Sequence, residues 1–217
     1  MKGRAEMCGR FKLMIEPGEL RAMLGLGALP VELVSSKNIS PGQHIPIVRN
    51  IETRNVEMFK WGLVPGWAKD PSIGYKMINA RAETIAEKAS FKKTFSKKRC
   101  LIPADGFYEW KIEENRKQPY WFSMKSGAPF TFAGLWEYWN DIKGNELFTC
   151  TIITTNPNDL LTEYHNRMPA ILNDTNRWAW LENRSEIELR AMLKPYPVEE
   201  MSTPVRLDPY DLNKLPG

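Results

Sequence analysis

The stretch from residue 100 to residue 155 constrains the fold most tightly. Short apolar runs at 100–104, 107–111, 120–124, 130–136 and 147–155 read as strands. Between them stand Asp105-Gly106, Lys125-Ser126-Gly127 and Lys143-Gly144-Asn145, which are turn-forming groups. Strands joined by tight turns run antiparallel, so this half of the chain is expected to be a set of hairpins.

The remainder supplies further strands and short helices. Residues 8–15 suit a first strand, and Glu16-Pro17-Gly18-Glu19 opens a helix that Gly25 can end. Gly25-Leu26-Gly27 lacks the βαβ setting of a dinucleotide fingerprint and is set aside. Residues 28–44 read as loop, and 45–49 and 56–61 as strands. Residues 76–84 pass from a strand-like segment into a helix, with Asn79 placed as an N-cap. Residues 91–99 form an amphipathic helix with a basic face, either a solvated surface or a patch for phosphates. Asn156-Pro157-Asn158-Asp159 caps a short helix that stops before Pro169, and residues 178–181 and 186–193 read as the last helices.

Composition narrows the class. With 217 residues, 42% of them hydrophobic, the chain can build one substantial core. It holds no apolar run long enough to cross a membrane and no secretory h-region. Three widely spaced cysteines, Cys8, Cys100 and Cys150, fit reduced thiols in a cytoplasm. Two histidines, His44 and His165, give no metal-ligand spacing, so neither metal nor cofactor is expected. A net charge of +4 permits an anionic partner without requiring one. Eight tryptophans exceed what such a core needs, and some are expected to face a ligand.

Several residues carry chemistry. If Met7 were the initiator, its trimming would leave Cys8 with both a free α-amine and a thiol. Both titrate near neutrality, and together they capture an aldehyde as an imine and then as a thiazolidine ring. The preceding Lys2-Gly3-Arg4 can be encoded as a purine-rich ribosome-binding sequence, with Ala5-Glu6 as spacer. Residues 1–6 are therefore expected to be a leader or a misplaced start, and 7–217 one domain. The bland alternative makes Cys8 a small apolar residue at the head of a strand. Glu109, on a strand amid aromatics, is either a carboxyl raised in pKa by desolvation for acid–base work or an edge-strand partner of a lysine. Trp61 and Trp67 flank a loop stiffened by Pro65, where they either stack on bases or pack inward. His165 and Arg167 share the turn before Pro169.

Seven blocks recur here in a fixed order: Cys-Gly-Arg-Phe, Trp-Gly-Leu-Val-Pro-Gly-Trp, Asn-Ala-Arg-Ala-Glu-Thr, Ile-Pro-Ala-Asp-Gly-Phe-Tyr-Glu-Trp, Ala-Gly-Leu-Trp-Glu, Thr-Ile-Ile-Thr-Thr-Asn-Pro and His-Asn-Arg-Met-Pro. Over roughly residues 7–200 the chain thus resembles the SOS-response-associated peptidase (SRAP) family of abasic-site processing proteins. The resemblance implies an α+β fold with antiparallel strands curved into an open barrel flanked by helices. It implies binding of single-stranded DNA and a covalent thiazolidine link between Cys8 and an abasic sugar. Asn79 would then orient cysteine and sugar, Glu109 would shuttle protons, and His165 would hold and protonate the sugar oxygens. Arg10, Arg81 and Arg167 would hold flanking phosphates, while Trp61 and Trp67 would shape the cleft.

A lyase and a self-processing peptidase activity also follow from the resemblance, in a protein expected to act as a monomer. With residues 1–6 attached, Cys8 lacks a free amine, which is where the chain departs from the family pattern. Two competing readings are an N-terminal-nucleophile amidohydrolase indifferent to DNA, and a single-strand-binding module that tolerates Cys8→Ala.

Overall fold

The computed structural model describes residues 8–33 and 35–209. The expected leader, with Met7, lies outside these residues.

The strands are Phe11–Leu13 (β1), Ser36–Ile39 (β2), His44–Val48 (β3), Val56–Trp61 (β4), Asn79–Arg81 (β5), Arg99–Ala104 (β6), Gly106–Glu113 (β7), Arg116–Phe122 (β8), Phe130–Asn140 (β9), Glu146–Thr155 (β10), Met168–Pro169 (β11), Ile171–Leu172 (β12) and Val205–Arg206 (β13). The helices are short: Pro17–Leu24 (α1), Lys92–Lys97 (α2), Asp159–Thr162 (α3), Asp174–Ala179 (α4) and Glu186–Met192 (α5).

Two sheets organise them. One contains β10, β4, β3, β6 and β9 in sequence, and β9 pairs back onto β10. The ring is thereby closed, so the expected curved sheet is a complete five-stranded barrel without free edges in the ring. So narrow a barrel needs small side chains inside. A Cβ at Gly134 of β9 would come within 2.9 Å of the Cys100 sulfur and 2.8 Å of Ile102. The long strand β10 also pairs in parallel with β5 and antiparallel with β11. The second sheet runs β13-β8-β7-β1-β2. Its ladder sets Phe11 opposite Phe107 and Lys12 opposite Gly106, which draws the start of the described chain alongside β7.

One apolar core spans both sheets, with Phe11 edge-on to Phe132 and tilted against Trp61, and Phe107 stacked on Phe122.

Several expectations change here. Residues 28–44 are not all loop: Ser36–Ile39 forms β2, antiparallel to β1. Its Ser-Lys-Asn-Ile sequence has too little apolar alternation to signal a strand. Asn79 caps no helix. It is the first residue of β5, and only a single 3-10 turn, Ala82–Thr84, follows. The helix expected over 91–99 is Lys92–Lys97, and its basic face is only partly free. Arg99 is buried, donating to the carbonyls of Phe95, Ser96, Trp180 and Glu182. Lys98 is paired with Glu137. A guanidinium fork meets the orphan carbonyls of a helix end well, so that part of the charge run is internal. The penultimate helix begins earlier than expected, at Asp174, where Asn173 caps it by accepting from the Asn176 N–H.

Candidate functional site

Cys8 sits just ahead of β1, where Tyr108 N–H donates to the Arg10 carbonyl and holds this segment beside β7. Its φ of 29° is left-handed, a conformation uncommon outside glycine. Both heteroatoms of Cys8 converge on one carboxyl oxygen. Its thiol donates to Glu109 Oε1 at 2.8 Å and its main-chain N–H donates to the same oxygen at 3.2 Å.

Glu109 is 1% exposed, on β7 opposite Tyr120 of β8. It is no edge-strand partner of a lysine. Burial pushes its pKa up to about 8, although the two hydrogen bonds from Cys8 pull the other way. Burial also drives the Cys8 thiol well above its ordinary value, aided by the charge and hydrogen bond of Glu109, while the Arg167 charge acts downward. The pair therefore rests as a thiol beside a carboxyl that titrates near neutrality. That carboxyl can give or take a proton at physiological pH.

His165 reaches the site from the other side. Asn158 caps α3 by accepting from the Leu161 N–H, and His165 N–H donates to the Leu161 carbonyl as the helix ends. Tyr164 packs edge-on against Tyr120 and Phe122 and docks this turn on β8. The Nδ1 of His165 accepts from the main-chain N–H of Arg167 at 3.1 Å. Burial lowers the His165 pKa, and the Arg167 charge adds to this, against a contribution from the Arg167 carbonyl. The ring is thus neutral at physiological pH.

A cleft of about 320 Å³ opens here, lined by Gly9, Arg10, Pro41, Glu109, Trp110, Lys117, Tyr164 and His165. Arg10 is half-buried and donates to Asn38 Oδ1 at 2.6 Å. A larger hollow of about 570 Å³ lies at Arg49 and Trp136, but it contains no nucleophile, and the Arg49 fork is taken by Glu57. The cleft beside Cys8 is where the chemistry is concentrated.

The structure therefore brings Cys8, Arg10, Glu109 and His165 together. Asn79 and Arg81 lie on β5, opposite Ile152 and Thr154 of β10. Arg81 is exposed at the start of the turn that carries Glu83.

The two tryptophans part company. Trp61 is 1% exposed, with its indole N–H donated to the Ile78 carbonyl at 2.9 Å. It is a core residue, and no base can stack on it; the motif that suggested a cleft wall here reflects barrel packing. Trp67 is 63% exposed. Tyr75, unremarked in the sequence, is also exposed, close to Gly42 and with Lys60 over its ring. The turn bearing Tyr75 lies against the tryptophan loop through two facing glycines. A Cβ on Gly62 would meet the Gly74 carbonyl at 2.7 Å, and a Cβ on Gly74 would meet that of Gly62 at 2.7 Å.

Arg167 is only 7% exposed, and its terminal nitrogens are committed. They form a bidentate pair with Glu83, at 2.8 Å to each oxygen, and donate to Asn156 Oδ1 and the Thr154 carbonyl. Glu83 lay inside a recognised motif, but nothing in its spacing pointed to an arginine far along the chain.

Among the described residues no group of three or more His, Cys, Asp or Glu could hold a metal, and no helix is long and apolar enough to cross a membrane.

The comparisons with known proteins agree with this geometry. Residues 7–207 match the model of the SOS response associated peptidase (SRAP) family. Abasic site processing protein YoqW of Bacillus subtilis is 47% identical over 201 residues, 90% of each chain. Abasic site processing protein YMR114C of Saccharomyces cerevisiae is 32% identical over 225 residues, 87% of this chain and 60% of that one. A crystal structure of a protein from Bacteroides thetaiotaomicron superposes with a TM-score of 0.89 at 31% identity, covering 95% of both chains. A family match running from the residue before Cys8 to β13, with a shared fold around it, places this chain in the SRAP family.

Proposed function

We propose that this protein processes abasic sites in single-stranded DNA as part of the DNA-damage (SOS) response, by joining Cys8 covalently to the ring-opened sugar. The observation that carries the reading is the meeting of Cys8 nitrogen and sulfur on the single buried carboxyl oxygen of Glu109. Relatives named abasic site processing proteins supply the substrate class.

The reaction needs a free α-amine at Cys8, which is exposed either by trimming of Met7, where that residue is the initiator, or by cleavage of residues 1–7. In the second route, in line with the peptidase of the family's description, the Cys8 thiol adds to the Met7 carbonyl, and the Met7–Cys8 amide bond breaks as its nitrogen takes up the thiol proton. One water then hydrolyses the thioester to free the leader as a carboxylic acid. The freed amine attacks the aldehyde carbon, passing a proton to Glu109. Glu109 hands that proton to the former carbonyl oxygen and then carries the second amine proton to the resulting hydroxyl, so that water leaves and an imine forms. The thiol then adds to the imine carbon while its proton travels through Glu109 to the nitrogen. The balance is one aldehyde and one N-terminal cysteine giving one thiazolidine and one water. An imine that eliminates phosphate before the sulfur adds would give strand cleavage, the lyase outcome.

His165 donates to a sugar oxygen as the ring opens. Asn79 orients the nucleophile and the sugar. Arg10 and Arg81 hold phosphates beside the lesion, and Trp67 offers a face to an unstacked base.

The test is denaturing-gel and intact-mass analysis with single-stranded DNA carrying one abasic site, comparing the full chain with one starting at Met7. A covalent band from the Met7 form, absent in Cys8→Ala, is expected. A band from the full chain with the mass of residues 1–7 missing supports self-processing. No band from a form shown by mass to begin at Cys8 overturns the crosslinking reading. DNA binding that persists in Cys8→Ala then indicates a binding module, and amide hydrolysis without DNA an amidohydrolase.

A further inference from the structure

Arginine carries five N–H donors, and those of Arg167 can be accounted for one by one. Nη1 serves Glu83 Oε1 and Asn156 Oδ1; Nη2 serves Glu83 Oε2 and the Thr154 carbonyl. The remaining Nε–H is buried without a partner. A phosphate oxygen could reach the terminal nitrogens only by displacing one of these acceptors. The main chain of Arg167, by contrast, is engaged with His165. Its N–H lies 3.1 Å from Nδ1 and its carbonyl oxygen 3.3 Å from the same nitrogen.

The consequence for the imidazole is specific. The N–H contact is the shorter of the two, which favours a neutral ring whose Nδ1 accepts and whose proton resides on Nε2. Nε2 is then the nitrogen left for a substrate, and it presents a donor. When the ring is protonated, Nδ1–H turns to the carbonyl instead, so both states have a partner and the ring keeps its orientation.

We propose that Glu83 is a positioning residue for the reaction at Cys8: by gripping the Arg167 side chain it fixes the Arg167 main chain, which holds His165 as the Nε2–H tautomer facing the cleft. The proposal rests on the crosslinking reading for what His165 then does, but not for how His165 is held. Glu83 and Arg81 leave the same short strand β5, and Arg167 leads into β11; both strands pair with β10. The grip therefore ties two separate connections to one strand. Glu83 itself reflects the contact. Burial would raise its carboxyl pKa, but the Arg167 hydrogen bond and charge, with the Arg81 charge, bring it below its ordinary value. Other charged and titratable groups lining the cleft with His165 are Arg10, Glu109, Lys117 and Tyr164, with Cys8 bonded to Glu109.

The chain has only two histidines, so long-range proton–nitrogen NMR reads each ring separately, with exposed His44 as internal control. In the protein beginning at Cys8, His165 is expected as the Nε2–H tautomer. Glu83→Gln should broaden or mix its tautomer signals and leave His44 unchanged. The same variant should slow crosslinking at saturating DNA about tenfold, by analogy with the loss of a metal-ligand's orienting partner. DNA affinity should stay within about twofold, and Glu83→Asp should recover part of the rate.

An Nδ1–H tautomer in the unmodified protein, or Glu83→Gln with His165 signals and rate unchanged, overturns the proposal. So does a variant whose loss lies wholly in DNA affinity, which would make Glu83 and Arg167 part of the phosphate grip. If the unmodified protein forms no crosslink, the function fails, and the tautomer measurement still decides the positioning.

Discussion

Cys8 and the pair Cys100 and Cys150 are all buried and all have thiols held above their ordinary pKa by burial. Their surroundings differ. Cys100 is packed against the Gly134 backbone, and Cys150 meets the main-chain carbonyls of Phe59 and Lys60. Among the described residues, neither receives a hydrogen bond from, or gives one to, a titratable side chain. Cys8 is bonded to a carboxyl that titrates near neutrality and that lines an open cleft. Burial holds all three thiols protonated, and what sets Cys8 apart is a titratable carboxyl delivered to it by the fold.

Thiol labelling separates the two regions most widely. A maleimide should modify Cys8 in the native protein, while Cys100 and Cys150 react only through global unfolding, about 10³-fold or more slowly. Peptide mapping of a time course reads this directly; equal rates would dissolve the contrast. Next comes the acceptor. Glu109→Gln should cut the crosslinking rate by about 10²–10⁴ while the barrel still melts cooperatively.

Trp61→Ala should cost about 3–5 kcal/mol of stability in denaturant unfolding, because it empties the junction between the two sheets. The pH dependence of stability sharpens the role of Glu109 in the full chain. Folding raises its pKa from 4.5 to about 8, so the native state keeps a proton that the unfolded chain has released. The stability this provides is complete below about pH 4.5 and is lost as pH rises to about 8. Glu109→Gln, which has no such proton to lose, should therefore gain on the unmodified protein across that window. A parallel pair of stability curves would show that the carboxyl is not held neutral. The smallest effect is expected at Trp67→Ala: stability within about 0.5 kcal/mol, and a loss of about 1–3 kcal/mol in single-strand binding.

Hairpins, the glycine end of α1 and the candidacy of Glu109 were legible in the sequence because each rests on neighbours a few positions apart. Gly25 ends the first helix in a left-handed conformation, as its place predicted. The turn at Lys143-Gly144-Asn145 joins β9 and β10 as a hairpin, as expected, whereas Asp105-Gly106 and Lys125-Ser126-Gly127 carry the chain from one sheet to the other instead of closing hairpins. The rest depended on contacts between distant segments. Strand β2 is polar because its role is to present Asn38 to Arg10. Trp61 and Trp67 share one motif, yet the ladder of β4 turns the first inward and the loop leaves the second outside. Arg99 looked like surface charge until two helix ends were found converging on it.

Strand β10 has a kinetic consequence. Its parallel pairings with β4 and β5 join segments far apart in the chain, and such contacts form only after a large loop has been closed. The strands that lead to Glu83 and from Arg167 both wait on β10, whereas β7 and β8 can pair as a local hairpin. During refolding, Glu109 should therefore be in place while His165 is still unheld. A newly made molecule would pass through a stage with the Glu109 carboxyl already set on its hairpin and the turn that carries His165 not yet docked.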